Sequence, residues 1–178
     1  MRRILLGLLF LLTAGPLQQA QSDPEPNWNI PPIVSRRLEA EGMLAHYEVS
    51  TKLNPFYLRG DLDGDGVPDY AVLVVNRATK ATGIAVLRSR AAKIEVLGAG
   101  GIKVKVAPLE GETQGSEVDS FDWMDSWHIE RKQRLKFTGW DTPVTQMVGE
   151  GIYAEKSEAA SAIIYWDGKK YRWLQESD

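Results

Sequence analysis

Four aspartates fall within the nine positions 61–69 of this 178-residue chain, and their spacing suits them to one kind of chemistry. The run Gly60-Asp61-Leu62-Asp63-Gly64-Asp65-Gly66-Val67-Pro68-Asp69 places Asp61, Asp63, Asp65 and Asp69 at loop positions 1, 3, 5 and 9. A tightly wound backbone turns such side-chain oxygens inward, and the peptide oxygen at position 7, that of Val67, completes the shell. Calcium is a hard cation that takes six to eight oxygens at about 2.3–2.6 Å. Gly66 at position 6 permits the sharp turn, and Gly64 adds freedom. Without a cation the four carboxylates would repel one another: no lysine lies nearby, and Arg59 points away if its strand alternates. An ordinary acidic turn accounts for the aspartates and glycines but not for their every-second-residue spacing.

The residues after the loop decide its type. A helix-loop-helix hand places a bidentate Glu at position 12 and continues as a helix. Here position 12 is Val72, inside the β-branched run Tyr70-Ala71-Val72-Leu73-Val74-Val75. This strand-loop-strand form resembles the calcium loops of FG-GAP and VCBS-type repeats. The resemblance covers Tyr57 to Asn76 and implies Asp61, Asp63, Asp65 and Asp69 as side-chain ligands of Ca2+, with Val67 as the carbonyl ligand. A propeller needs several such blades and this chain has one, so the propeller fold does not carry over. The whole chain also resembles a group of exported bacterial proteins without an assigned activity. These pair one loop of this type with a terminal hairpin like Ile164-Tyr165-Trp166-Asp167-Gly168-Lys169-Lys170-Tyr171-Arg172-Trp173.

Around the loop, the apolar pattern predicts the elements that must hold it. Ser35 can cap a short helix reaching about Tyr47, with Leu38, Met43, Leu44 and Tyr47 roughly on one face and Gly42 weakening it. Beyond Pro55 the period becomes strand-like: 56–59, 70–76, 84–88, 93–97 and 102–106 read as strands. The polar stretch 108–120 reads as a long loop, and strand signals resume at 134–138, 151–155, 162–166 and 171–174. Asp167-Gly168 favours the positive φ angles of a tight hairpin turn between the last two. The expected fold class is α+β, mainly β: one N-terminal helix, then an antiparallel sheet or sandwich of about eight strands.

The first 22 residues read as a signal peptide: Arg2 and Arg3 precede the apolar run Ile4–Leu12, and Ala20-Gln21-Ser22 is a small-residue cleavage pattern. That run is far below the roughly 20 residues needed to cross a bilayer. Residues 23–33 form a proline-rich leader and 34–178 a single domain, so the expected location is periplasmic or secreted. Without Arg2 and Arg3 the 21 basic residues become 19 against 24 acidic ones, a formal charge of −5. That balance argues against nucleic acid, which calls for a basic face. With no cysteine there are no disulfides, no thiolate metal sites and no residue to carry a lipid.

Other chemistry is thinner. His128 has Asp125, Glu130 and Asp141 near it in sequence, but an active site needs convergent partners, and the other histidine, His46, sits on the expected helix. Ser116 lacks the glycine pattern of a nucleophile elbow. The patch Phe121-Asp122-Trp123-Met124-Asp125-Ser126-Trp127 could line a ligand groove, with Trp123, Trp127 and Trp140 as its walls. Buried aromatic core is the commoner use of such residues. Two functions therefore stand. One is a non-enzymatic module, calcium structural, that binds an envelope protein or glycan. The other is a cell-wall-directed hydrolase or hydrolase inhibitor with a structural calcium. The first is preferred because no complete catalytic set can be assembled.

Overall fold

A computed structural model describes residues 29–107, 114–131 and 147–177. The expected signal peptide, most of the leader, the expected strand 134–138 and Trp140 lie outside the described residues.

The chain is mostly β, with one α-helix and eleven strands among the described residues. Helix α1 (Pro32–Ala40) starts three residues ahead of the expected Ser35 cap. Proline is favoured at a first helical position, where its missing N–H would have no partner. Val34 and Leu38, four apart, are its buried residues, and Ile30 just before it is buried too. The helix stops well short of Tyr47, because Gly42 takes φ +68° and its N–H bonds back to the Glu39 carbonyl. After a 3₁₀ turn (Met43–Ala45), Tyr47, the expected end of the helix, instead opens strand β1 (Tyr47–Val49).

Strands β2 (Tyr57–Gly60), β3 (Asp69–Asn76), β4 (Thr82–Leu87) and β5 (Glu95–Gly98) follow. They form one antiparallel sheet in which β4 pairs with one edge of β3, while β1 and β2 share the other edge. A small pair, β6 (Val104–Lys105) with β7 (Glu117–Val118), comes next. The remaining strands, β8 (Ser126–Glu130), β9 (Gly151–Lys156), β10 (Ala160–Trp166) and β11 (Tyr171–Ser177), make a second antiparallel sheet in the order β11-β10-β9-β8. Eleven strands exceed the expected eight or so: β1, β7 and β8 were not anticipated.

Alternation along the central strands explains how the first sheet serves two cores. Ala71, Leu73, Ile84 and Val86 share one cluster with Trp127, Ile152, Ala154 and Ile164 of the second sheet. Val72, Val74, Ala85 and Leu87 point the other way and cluster with Ile30, Val34 and Leu38. With both faces covered, β4 is buried along its whole length. Each such Leu or Ile contributes roughly 1.5–3 kcal/mol by leaving water.

The last hairpin differs from expectation in its turn. Trp166 pairs with Tyr171, so four residues, Asp167 to Lys170, make the connection, with Gly168 at φ +93°. Asp167 Oδ1 accepts the backbone N–H groups of Lys169 and Lys170, both at 2.8 Å, and Oδ2 accepts Arg172 Nε–H. Burial pushes this carboxyl up, but the two N–H groups and the Arg172 guanidinium outweigh it and bring it down to about 2. Asp167→Ala is therefore expected to cost about 1–3 kcal/mol in urea unfolding at neutral pH. A depressed folded-state value means the stabilisation is present above the ordinary carboxylate value of 3.8 and is lost as pH falls toward about 2. A wild-type-to-variant difference that stays constant across that window would show that the charge is not the cause.

Candidate metal centre

Strand β2 ends at Gly60 and β3 begins at Asp69, so the acidic loop joins two paired antiparallel strands, with Gly60 opposite Asp69. The chain must reverse between them, and Gly64 (φ +76°) and Gly66 (φ +81°) supply left-handed backbone. The aspartates then bend back on the loop itself. Asp63 Oδ1 accepts the N–H of Asp65 at 3.3 Å, Asp65 Oδ1 that of Val67 at 2.7 Å, and Asp61 Oδ2 that of Gly66 at 3.0 Å.

This winding brings one carboxylate oxygen from each of Asp61, Asp63 and Asp65 within 4.8 Å of the others, all three residues half-buried. Two oxygens on opposite sides of one calcium are about 5 Å apart, so a single cation can touch all three. Asp61 Oδ1 is buried and has no hydrogen-bond partner. A carboxylate oxygen removed from water without a donor is costly unless something positive meets it. The three aspartates could hold a metal ion.

Asp69, which is not one of that trio, is completely buried. Its Oδ2 accepts the N–H of Leu62 at 3.0 Å and its Oδ1 that of Ser89 at 2.6 Å. Burial pushes its carboxyl above the ordinary range and the charge of Asp63 adds to that, while the Ser89, Leu62 and Asp63 N–H groups pull it back. Asp69 thus ties the loop to the chain beyond β4. Of Val67, the structure shows its N–H bonded within the loop.

Several participants escaped sequence reading. Arg59 is exposed, and a different cation reaches the loop: Arg90 Nη1 lies 3.4 Å from Asp65 Oδ2 and 3.3 Å from the Asp65 carbonyl. The segment before β9 closes the other side. Glu150 Oε2 accepts the Asp61 N–H at 2.9 Å, and the Glu150 N–H bonds to the Asp61 carbonyl at 2.7 Å. Gly149 sits so close that a Cβ there would lie 2.3 Å from the Asp61 carbonyl oxygen. The loop is therefore stitched to both sheets.

The other candidates are not gathered here. Trp127 is 2% exposed, in the core shared by the two sheets, with its indole N–H on the Pro55 carbonyl at 2.7 Å. Trp123 is half-buried and meets Trp173 edge-on at 6.0 Å between ring centroids. His128 stands on the exposed side of β8, stacked on Tyr153 at 4.5 Å, with Nε2 3.6 Å from Glu130 Oε2. No protein-family model, curated protein or solved structure matches the chain. The likeness to FG-GAP and VCBS-type loops accordingly rests on the loop residues themselves.

Proposed function

We propose that the protein is an exported calcium-binding module in which the ion is structural and the folded surface binds an envelope or extracellular protein or glycan. The observation that supports it is the convergence of the Asp61, Asp63 and Asp65 oxygens, with Asp61 Oδ1 buried and lacking a donor. On this reading those three are side-chain ligands. The Val67 peptide oxygen and Asp69 complete the shell, Asp69 through lone pairs that its two N–H bonds leave free. A cation there would offset the mutual repulsion of the loop and brace the junction of two sheets packed as a sandwich. Among the described residues no helix is long and apolar enough to cross a membrane.

Thermal unfolding with and without calcium tests the ion. Extracellular calcium modules bind at roughly 10⁻⁴ to 10⁻³ M. At a Kd of about 10⁻⁴ M, raising free calcium to about 10⁻³ M stabilises the folded form by RT ln 11, about 1.4 kcal/mol. For a domain of this size, that raises Tm by roughly 3–6 °C. Magnesium should do less, because it gives up water reluctantly and wants a tighter octahedral shell. Asp63→Ala should abolish the shift. Equal melting in EDTA and in calcium, with no heat of binding by calorimetry, would refute the reading.

Export and partner have their own tests. Native protein should have the mass of a chain beginning at Asp23; a full-length chain from Met1 in the envelope or medium would contradict export. An envelope protein or glycan should stay on immobilised protein in calcium and leave in EDTA. Retention indifferent to calcium, or none, would count against the partner.

A further inference from the structure

Beside the core between helix α1 and the first sheet lies a cleft of about 340 Å³. Its apolar walls are Ile33 and Val34 of α1, Tyr70 of β3, Leu87 of β4, and Ala91 and Ala92 of the turn that follows. Tyr70 and Leu87 are cross-strand partners, so together they make one continuous surface. Ile33 is 55% exposed while its neighbour Val34 is buried, which places Ile33 where the cleft meets solvent. Cavities that hold small molecules run from roughly 300 to 1,000 Å³ and are mostly apolar with a few placed polar groups, a description this cleft meets.

The walls are held in place and the surroundings are basic. Ser89, also in the lining, is tied through its N–H to Asp69 and through its hydroxyl to the Pro68 carbonyl. Arg37 fastens the turn to the helix, with Nη1 on the Arg88 carbonyl and Nη2 on the Ala91 carbonyl, both at 2.7 Å, and Nε on Glu41 Oε1 at 2.9 Å. A guanidinium has five N–H groups, so Arg37 retains two that a ligand can use. Arg37, Arg88 and Arg90 are ion-paired with Glu41, Glu95 and Asp65. Arg36, beside Ile33 on the helix surface, and Lys93, next to Ala92, are exposed and have no ion-pair partner among the described residues. Glu39, the other acid of the helix, falls on the side turned away from Ile33, Val34 and Arg37. In a chain of formal net charge −3, cations thus gather beside an apolar cleft.

We propose that this cleft is a binding site for a small amphiphilic monocarboxylic acid. Its apolar body lies against Ile33, Val34, Tyr70 and Leu87, and its carboxylate meets the remaining Arg37 N–H groups with Arg36 and Lys93 beside it. A wholly apolar molecule would leave the cations unused, and a small polar anion would leave the walls wet. Only a molecule with both parts uses both features. None of these contacts involves the Asp61, Asp63 or Asp65 carboxylates, so the site stands or falls separately from the metal reading.

The test is calorimetry of the purified protein, in EDTA at neutral pH, with straight-chain carboxylates. Octanoate should bind once per chain, and each methylene added from hexanoate onward should tighten binding about fourfold until the cleft is full. 1-Octanol, with the same apolar body and no charge, should bind about fivefold more weakly, the worth of an exposed ion pair. Replacing both exposed cations, Arg36→Gln with Lys93→Gln, should bring octanoate down to the octanol level and leave octanol unchanged. Ala91→Phe should fill the cleft and abolish binding of both, with circular dichroism checking the fold; if that variant does not fold, the Arg36 and Lys93 pair still decides. No saturable binding of octanoate or decanoate, affinity indifferent to chain length, or octanol binding as tightly as octanoate overturns the proposal. So does a protein that self-associates until Ala91→Phe makes it monomeric, which would mean that a second copy covers the cleft.

Discussion

Asp69→Ala is expected to lower folding stability by about 3–5 kcal/mol, among the largest losses any single side chain here can cause. The carboxylate is fully buried and each oxygen takes a backbone N–H, from Leu62 at 3.0 Å and from Ser89 at 2.6 Å. Truncation leaves two donors without partners and a small void, and bonds to a charged acceptor are the stronger kind. Tm should fall by roughly 6–20 °C. Asp69→Asn keeps one acceptor oxygen and should lose about half as much. Urea unfolding of the three proteins in EDTA separates this from any metal effect. A loss under about 1 kcal/mol for the alanine variant would mean that the two N–H groups find other partners. The pH trend runs opposite to that of Asp167. A raised folded-state carboxyl costs stability as pH climbs from the ordinary carboxylate value toward the raised one.

Gly149→Ala should cost about 3 kcal/mol, although it adds one methyl group to a loop. The new carbon would stand 2.3 Å from the Asp61 carbonyl oxygen, 2.6 Å from the Gly64 nitrogen and 2.7 Å from the Leu62 carbonyl carbon. All three are backbone atoms, so no side chain can swing aside, and the acidic loop or the Gly149 segment must move. Movement should also spread the three carboxylates. The variant is therefore expected to lose the proposed calcium-dependent rise in Tm together with about 6–12 °C of its own. Gly66→Ala is the control: its Cβ would meet nothing within 4 Å, and only the φ of +81° opposes it. Equal losses for the two would show that backbone conformation, not close approach, is limiting at Gly149.

Much of this could be read from local pattern. The β2-loop-β3 unit was legible because its aspartate spacing and the β-branched run after it are both contiguous. Strands β3, β4, β9, β10 and β11 carry enough apolar residues to announce themselves. Strands β1 and β7, of three and two residues, are too short to have a period and owe their pairing to neighbours. In β8 the alternation of Trp127 and Ile129 with His128 was present, but the preceding Phe-Asp-Trp-Met-Asp run drew it into an aromatic patch. Helix α1 was overextended because Leu44 and Tyr47 continue an apolar spacing that the left-handed Gly42 interrupts. At the site, Arg90 and Glu150 were invisible: they lie 25 and 89 positions from the aspartates they meet, and no local spacing encodes such partners.

That last separation bears on the order in which the molecule assembles. The hairpins of the first sheet join neighbours in sequence, and so do those of β9, β10 and β11, so their chain-closure costs are small. The stitch from Asp61 to Glu150 closes a span of 89 residues and can form only once both sheets exist. Contacts absent from the folding barrier govern the rate of escape rather than the rate of entry. Damage at Glu150 or Gly149 should leave refolding nearly as fast as before and show itself as a shorter native lifetime.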